Sequence, residues 1–97
     1  MQKTITLKGT KHEANMTLGA LSRAAKQMGC KSEEDLFATG VSGILATIYY
    51  SIKVCNDNFK PTLDEFMDGF GLSDTTEIAN AFTTLSGETS GATEGNG

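Results

Sequence analysis

The side chains that could carry out chemistry are few and lie far apart along the chain. His12 is the single histidine, and Cys30 and Cys55 are the two cysteines. Covalent and acid–base catalysis need a nucleophile, a base and an orienting group within reach of one another, and no motif gathers such a set. Neither cysteine has the CxxC spacing of a redox or zinc site. We therefore predict no catalytic residues and no cofactor.

Two clusters of carboxylates are the remaining candidates for chemistry. Glu33, Glu34 and Asp35 follow Ser32, while Asp64 and Glu65 follow Thr62, with Asp68 one turn further on. Both clusters stand in the first turns of predicted helices, where the helix dipole favours negative charge without any chemistry. Helix stabilisation accounts for both clusters, so we predict no metal site and a protein that is not an enzyme.

Charge is distributed unevenly along the chain. All eight Lys and Arg lie in residues 1–60 with five acids, a net charge of +3, whereas residues 61–97 hold seven acids and no base, a net charge of −7. An acidic protein without a basic stripe is a poor nucleic-acid binder, because phosphate affinity depends on Lys and Arg. The asymmetry is typical of a solvated acidic face. It also favours weak self-association, in which the acidic end of one copy meets the basic end of another.

Length and hydropathy predict one domain without a membrane span. No apolar run approaches the ~20 residues of a bilayer crossing, and no signal peptide is evident, so we expect an intracellular protein. Residues 86–97 read SGETSGATEGNG and hold one apolar side chain, Ala92, which predicts a flexible tail. The folded domain is then residues 1–85. A domain that short buries only about 60–65% of its unfolded surface, so self-association or a partner would help to stabilise it.

An N-terminal β-hairpin is predicted by alternating residues. In Lys3–Lys8, Ile5 and Leu7 share one face, as in a half-buried strand. Gly9-Thr10 is the predicted two-residue turn, with glycine in its first position, and His12–Met16 is the predicted return strand.

Helical periodicity then predicts four to five helices, so the fold class is α+β, mainly α: a hairpin followed by a small helical bundle. Capping residues and glycines mark the helix boundaries. The predicted segments are Thr17 to Gly29, a short helix after Ser32, Gly40 to Asn56, Thr62 to Gly71, and Asp74 to Gly87.

The third of these helices has apolar side chains on two faces. The broad stripe consists of Val41, Ile44, Leu45, Ile48, Ile52 and Cys55, and the weaker stripe consists of Gly43, Ala46, Tyr50 and Val54. A helix that is apolar on two faces is either buried between layers or offers one face to a partner. Both interpretations stay open at this point. Under the second, the partner-binding residues are Gly43, Ala46, Tyr50 and Val54.

Four motifs occur in a characteristic order along the chain. MTLGAL at residues 16–21 follows the strand pair and fits F/M-T-x-G-A-L; GCKSEEDL at 29–36 is one residue longer than G-x-S/T-x-x-D-L. A helix at 45–53 and PTLDE at 61–65 follow. In this order the motifs resemble those of the tail assembly chaperones of long-tailed bacteriophages, over about residues 3–85 of the chain.

The resemblance implies a chaperone that coats the long, helical tape measure protein until tail tube subunits polymerise around it. Such a protein acts in the host cell cytoplasm and is not expected in the finished virion. In many phages of this kind a frameshifted, longer form recruits the tail tube protein. No family residue is catalytic, so the resemblance assigns no active site.

Two alternatives to the chaperone function remain open. One is a different small phage or host adaptor that forms a fixed oligomer and stays in the particle. The other is a minor enzyme subunit.

Overall fold

The computed structural model describes residues 2–87 and confirms the predicted α+β, mainly α fold. Its elements are β1 (Lys3–Leu7), β2 (Thr10–Ala14), α1 (Leu18–Gln27), α2 (Glu33–Phe37), α3 (Val41–Cys55), α4 (Leu63–Asp68), a 3-10 turn (Leu72–Asp74) and α5 (Thr75–Ser86). Ser86 belongs to α5 and Gly87 is its left-handed cap, so the domain extends two residues beyond the predicted boundary. The remainder of the predicted flexible tail, residues 88–97, lies outside the described residues.

The hairpin forms as predicted, but its turn lies one residue earlier. Leu7 pairs with Thr10, so Lys8 and Gly9 are the two turn residues, with φ of 53° and 81°. Two consecutive positive φ angles are those of the turn type that matches the twist of a hairpin, and glycine is favoured at its second position. The prediction of a Gly9-Thr10 turn was therefore wrong. The observed register still directs Ile5 and Leu7 into the core.

Helix α3 runs through the centre of the fold and packs against α1, α2, α4, α5 and β2. Ile48 and Ile52 on this helix are almost completely buried. The hydroxyls of Thr47 and Ser51 are also buried, and each donates to the carbonyl oxygen one turn earlier, at 2.9 and 2.7 Å. Because these polar groups are satisfied within the helix, neighbouring elements can cover that side of α3.

The three N-cap side chains were predicted correctly. Oγ of Thr17, Ser32 and Thr62 accepts a hydrogen bond from the backbone N–H three residues later in each case, at 3.0, 3.3 and 3.1 Å. At α4 the Glu65 carboxylate also accepts from the Thr62 N–H at 2.9 Å, which completes the capping box. These helix starts follow from local sequence, because every group involved lies within three residues.

The link between α4 and α5 differs from the prediction. α4 ends at Asp68 rather than continuing to Gly71. Phe70 lies beyond the end of the helix, and the centroid of its ring is 5.3 Å from that of Phe66. Asp74 occupies the cap position of α5, but its side chain makes no capping hydrogen bond to that helix. Its carboxylate instead accepts from the Gly71 N–H at 2.8 Å and the Lys8 ammonium at 3.1 Å. Asp74 therefore precedes α5 directly, at the predicted start of that helix, but its side chain contacts the hairpin instead of capping the helix.

Candidate functional site

The four residues predicted to bind a partner do not share one exposed face. Gly43 is buried, and a side chain there would overlap the carbonyl of Leu36 and the hydroxyl of Thr39. Ala46 is fully buried as well. The alternative interpretation, burial between layers, therefore holds for these two residues. Only Tyr50, which is half-buried, and Val54, which is 37% exposed, can contact another protein from the folded state.

The surface around Tyr50 is a shallow and largely polar one. The Tyr50 ring lies edge-on to Tyr49 with 4.9 Å between centroids. The Tyr49 hydroxyl donates to the carbonyl of Pro61, and burial raises the pKa of that phenol above its usual value. Both rings line a cavity of about 280 Å³ together with Gln27, Thr62, Leu63 and Asp64.

An apolar groove lies on another side of α3, between its first turns and the link from α4 to α5. The groove encloses about 290 Å³ and is lined by Val41, Ser42, Leu45, Met67, Phe70, Gly71, Leu72, Thr75 and Ile78. Leu72 is 90% exposed and Val41 is 38% exposed, whereas Leu45 and Ile78 are buried. A fully exposed leucine beside a concave apolar surface is the kind of feature that marks a protein-binding site.

The wall of the groove is produced by the early end of α4. The Gly69 and Phe70 N–H groups turn back onto the carbonyls of Phe66 and Met67, at 3.2 and 3.0 Å, and Gly71 is then extended. The 3-10 turn that follows begins with Leu72. Because this link is not helical, no continuous helix fills the space opposite Val41 and Leu45.

Lys8 connects the link between α4 and α5, which forms this wall of the groove, to the β-hairpin. Its ammonium lies 3.1 Å from Asp74 Oδ2 and 5.8 Å from the centroid of Phe70, and its backbone N–H donates to Glu77 Oε2 at 2.8 Å. The Gly71 N–H and then Lys8 lower the pKa of Asp74, so this carboxylate stays charged at neutral pH. These contacts of Lys8 join the link between α4 and α5 to the hairpin.

Two further aromatic side chains, Phe37 on α2 and Phe82 on α5, contact each other. Phe37, which is 41% exposed, lies with its ring centroid 5.7 Å from that of Phe82. Phe82 is one turn beyond the groove residue Ile78 on α5, so both project from the same side of that helix.

His12 and Cys55 line a common cavity of about 350 Å³ with Lys11, Glu13, Ile52 and Asn56. Burial lowers the pKa of His12 and raises that of Cys55, so both side chains are favoured in their neutral forms. A nucleophilic cysteine needs the opposite, a thiolate beside a charged imidazole. Within residues 2–87, no three His, Cys, Asp or Glu side chains are grouped so that they could hold a metal ion.

The groove was not anticipated from the sequence. The predicted helix from Thr62 to Gly71 includes Phe70, and Leu72 lies between two predicted helices. The signal in the sequence is the short link from Gly69 to Ser73, in which Phe70 lies between two glycines and Leu72 lies between Gly71 and Ser73. Such residues in a link either pack inward or form a surface feature, and only the three-dimensional arrangement distinguishes the two.

The chain matches no protein-family model, and it has no significant match among curated proteins or among solved structures. From Gln2 to Gly87, no helix has both the length and the apolar character needed to cross a membrane.

Proposed function

We propose that this protein is a tail assembly chaperone of a long-tailed bacteriophage, and that its apolar groove holds helical segments of the tape measure protein. The observation that carries the proposal is Leu72, 90% exposed at the edge of a groove whose floor includes the buried side chains of Leu45 and Ile78. The order of motifs from residue 16 to residue 65 supplies the class of partner.

The lining of the groove suits the apolar side chains of a helix. An amphipathic helix bound in a groove inserts side chains that recur at three-to-four-residue spacing, while its polar face stays in water. A volume of about 290 Å³ accommodates a few such side chains rather than a whole helix. Each copy therefore binds weakly, and many copies along one long tape measure protein bind by avidity.

Weak individual contacts are what displacement requires. In this proposal the chaperone coats the unassembled tape measure protein in the host cell cytoplasm, with weak self-association between neighbouring copies. Tail tube subunits then replace it as the tube polymerises, and a longer frameshifted form brings the tube protein to the complex. The chaperone is absent from the finished virion.

The proposal is tested by binding of tape measure fragments to the Leu72→Ser variant. Removing an exposed leucine should change the free energy of unfolding by less than about 0.5 kcal/mol. If Leu72 anchors a partner helix, calorimetric affinity should fall about tenfold, equivalent to about 1.4 kcal/mol.

Leu18→Ser is the matched control, because Leu18 is 81% exposed on α1 and does not line the groove. Equal affinities of the Leu72 and Leu18 variants would contradict the proposed site. A protein of fixed oligomer number that remains in purified particles would instead indicate the structural adaptor.

A further inference from the structure

We propose that the free edge of strand β1 binds an extended, uncharged segment of another protein, which adds to the hairpin as a third strand. This site is separate from the apolar groove, and the inference does not depend on the proposed chaperone function. It is carried by the backbone of β1 and by a polar cleft that lies between this strand and α5.

Alternate backbone groups of β1 point away from β2. Leu7 and Thr10 close a two-residue turn, and such a closing pair exchanges both of its hydrogen bonds. The N–H and C=O groups of Ile5 and Leu7 are therefore directed at β2, whereas those of Thr4 and Thr6 are directed outward. In the part of the chain that the structure describes, β1 has no strand neighbour besides β2, and no group bonds the backbone of Thr4 or Thr6. The edge thus presents the donors and acceptors that another extended chain matches.

The next outward N–H along the chain already has an acceptor. Lys8 continues the alternation of Thr4 and Thr6, and its N–H donates to Glu77 Oε2 of α5 at 2.8 Å. Strand edges that are protected against pairing carry proline, a bulge or charged side chains. β1 keeps five consecutive pairs with β2 without a bulge, and Thr4, Ile5 and Thr6 are uncharged. The middle of this edge is therefore open to pairing.

The helical layer beneath the hairpin is wider than the hairpin itself. α5 packs against β1, α3 packs against β2, and the two helices pack against each other. Neighbouring helix axes are about 8–10 Å apart, whereas neighbouring strands are only about 4.8 Å apart. Two strands therefore cover two helices incompletely, and part of α5 is left uncovered beside the edge of β1.

This uncovered part of α5 forms the floor of a cleft of about 730 Å³, the edge cleft. Its lining includes Thr4, Ile5, Thr6, Thr76, Asn80 and Thr84. The three α5 residues of this set are exposed and lie four residues apart, so they span about 12 Å along the helix. A strand of four residues is about 13 Å long. The edge cleft therefore has the length of a short added strand.

The lining also determines the side chains that fit. On its inner side an added strand would meet Ile5 and Ala81, so small β-branched residues suit that side. On its outer side it would continue the row formed by Thr4 and Thr6, where threonine pairs well across strands. Main-chain hydrogen bonds then supply affinity, and alternate side chains supply specificity.

Two other occupants fit the edge less well. Antiparallel pairing of β1 with β1 of a second folded copy would place both α5 helices on the same side of the joined sheet. Because each α5 extends beyond its own β1, the two helices would compete for the same space. Residues 88–97 of the chain itself have a composition that is unfavourable for a strand, since six of the ten are Gly, Glu or Asn.

The test uses the full-length protein and a capped six-residue peptide of alternating Val and Thr, with amide hydrogen exchange followed by NMR. With peptide bound, exchange of the Thr4 and Thr6 N–H groups should slow about tenfold, because both gain acceptors. The Ile5 and Leu7 N–H groups already bond β2 and should change by less than about twofold. The same peptide with every N–H methylated should bind about tenfold more weakly, because it cannot donate to the edge.

Thr6→Pro removes one outward N–H and should weaken peptide binding about tenfold, while no hydrogen bond to β2 is lost. Lys11→Pro is the matched control. Lys11 pairs with Thr6 across the hairpin, and its N–H points to the opposite edge, so the affinity should stay the same.

A second pair of variants leaves the hairpin sequence intact. Asn80→Tyr places a ring in the edge cleft and should also weaken binding about tenfold. Ala79→Tyr is its control, because Ala79 is exposed beside Asn80 and does not line the cleft. Equal affinities of these two variants would contradict the site.

Equal slowing of all four β1 amides, or no slowing at the highest peptide concentration, would overturn the inference. Slow exchange of Thr4 and Thr6 in dilute protein without peptide would assign the edge to the chain itself. Slowing that appears only as the protein concentration rises would assign it to a second copy, and either result overturns the inference. Leu72→Ser should leave peptide binding unchanged, since the apolar groove and the edge cleft share no lining residue, so this test and that of the chaperone function fail separately.

Discussion

Near its N-terminal end, helix α3 has two apolar surfaces that are covered to different extents. Around Gly43 the backbone of α2 approaches so closely that no side chain fits between the helices. Around Val41, the surface faces a groove that the Phe70–Leu72 link leaves open. Apolar periodicity marks both surfaces as favouring burial, but it does not say whether the chain itself or a partner covers them. Residue size is the better guide, since a helical glycine indicates a close internal contact.

The largest effect should come from filling the covered surface. Gly43→Val should destabilise the fold by about 3 kcal/mol, because its side chain would collide with the Leu36 carbonyl, a backbone group that cannot rotate away. Urea unfolding measures the change. Gly19→Ala on α1 is the control: a methyl group there meets only the Thr17 hydroxyl at 3.6 Å and should stabilise the protein by up to about 1 kcal/mol. Similar unfolding midpoints for both variants would refute the close packing of α2 on α3.

A smaller loss of stability is expected for a substitution at Tyr50, whose burial is intermediate between that of Gly43 and that of Val41. Its ring is half-buried against Tyr49, so Tyr50→Ala should destabilise the fold by about 1–2 kcal/mol, less than the ~3–5 kcal/mol of a core aromatic. Thermal melts beside tape measure binding distinguish its possible roles. A drop of core size would place Tyr50 inside the fold. A strong loss of binding with an unchanged melting temperature would indicate that the partner binds at Tyr50 and Val54 instead of at the groove.

The smallest effect on stability is expected in the link that forms one wall of the groove, and this effect should depend on pH. Asp74 has a lowered pKa in the folded state, because the Gly71 N–H and Lys8 favour its charged form. The stabilisation is therefore present above the ordinary value of 3.8 and is lost as the pH falls through the lowered pKa. Asp74→Asn should leave a shallower loss of stability below about pH 4, seen in acid-dependent urea melts. If the variant loses stability at low pH as steeply as the wild-type protein does, the Lys8 contact does not hold the link.

The parts of the fold that could be predicted are those whose cause is local. Thr17, Ser32 and Thr62 each bond a backbone group three residues away, so their helix starts follow from sequence. The end of α4 and the role of Asp74 could not be predicted in the same way, because Lys8 reaches Asp74 from 66 residues earlier. The same applies to Gly43, whose burial depends on where α2 folds back. The groove arises from contacts between residues that are far apart in the sequence, so it can be recognised only in the three-dimensional structure.

The most direct test of the account is a methyl NMR titration with an apolar helix from the tape measure protein. Val41, Leu45, Leu72 and Ile78 all line the groove, and their methyl signals should shift together and saturate at one peptide concentration. The methyl signals of Leu18 and Val54, which are exposed elsewhere, should stay in place. Shifts confined to Val54 and to the ring of Tyr50, or no shifts at saturating peptide, would contradict the assignment of the groove as the binding site.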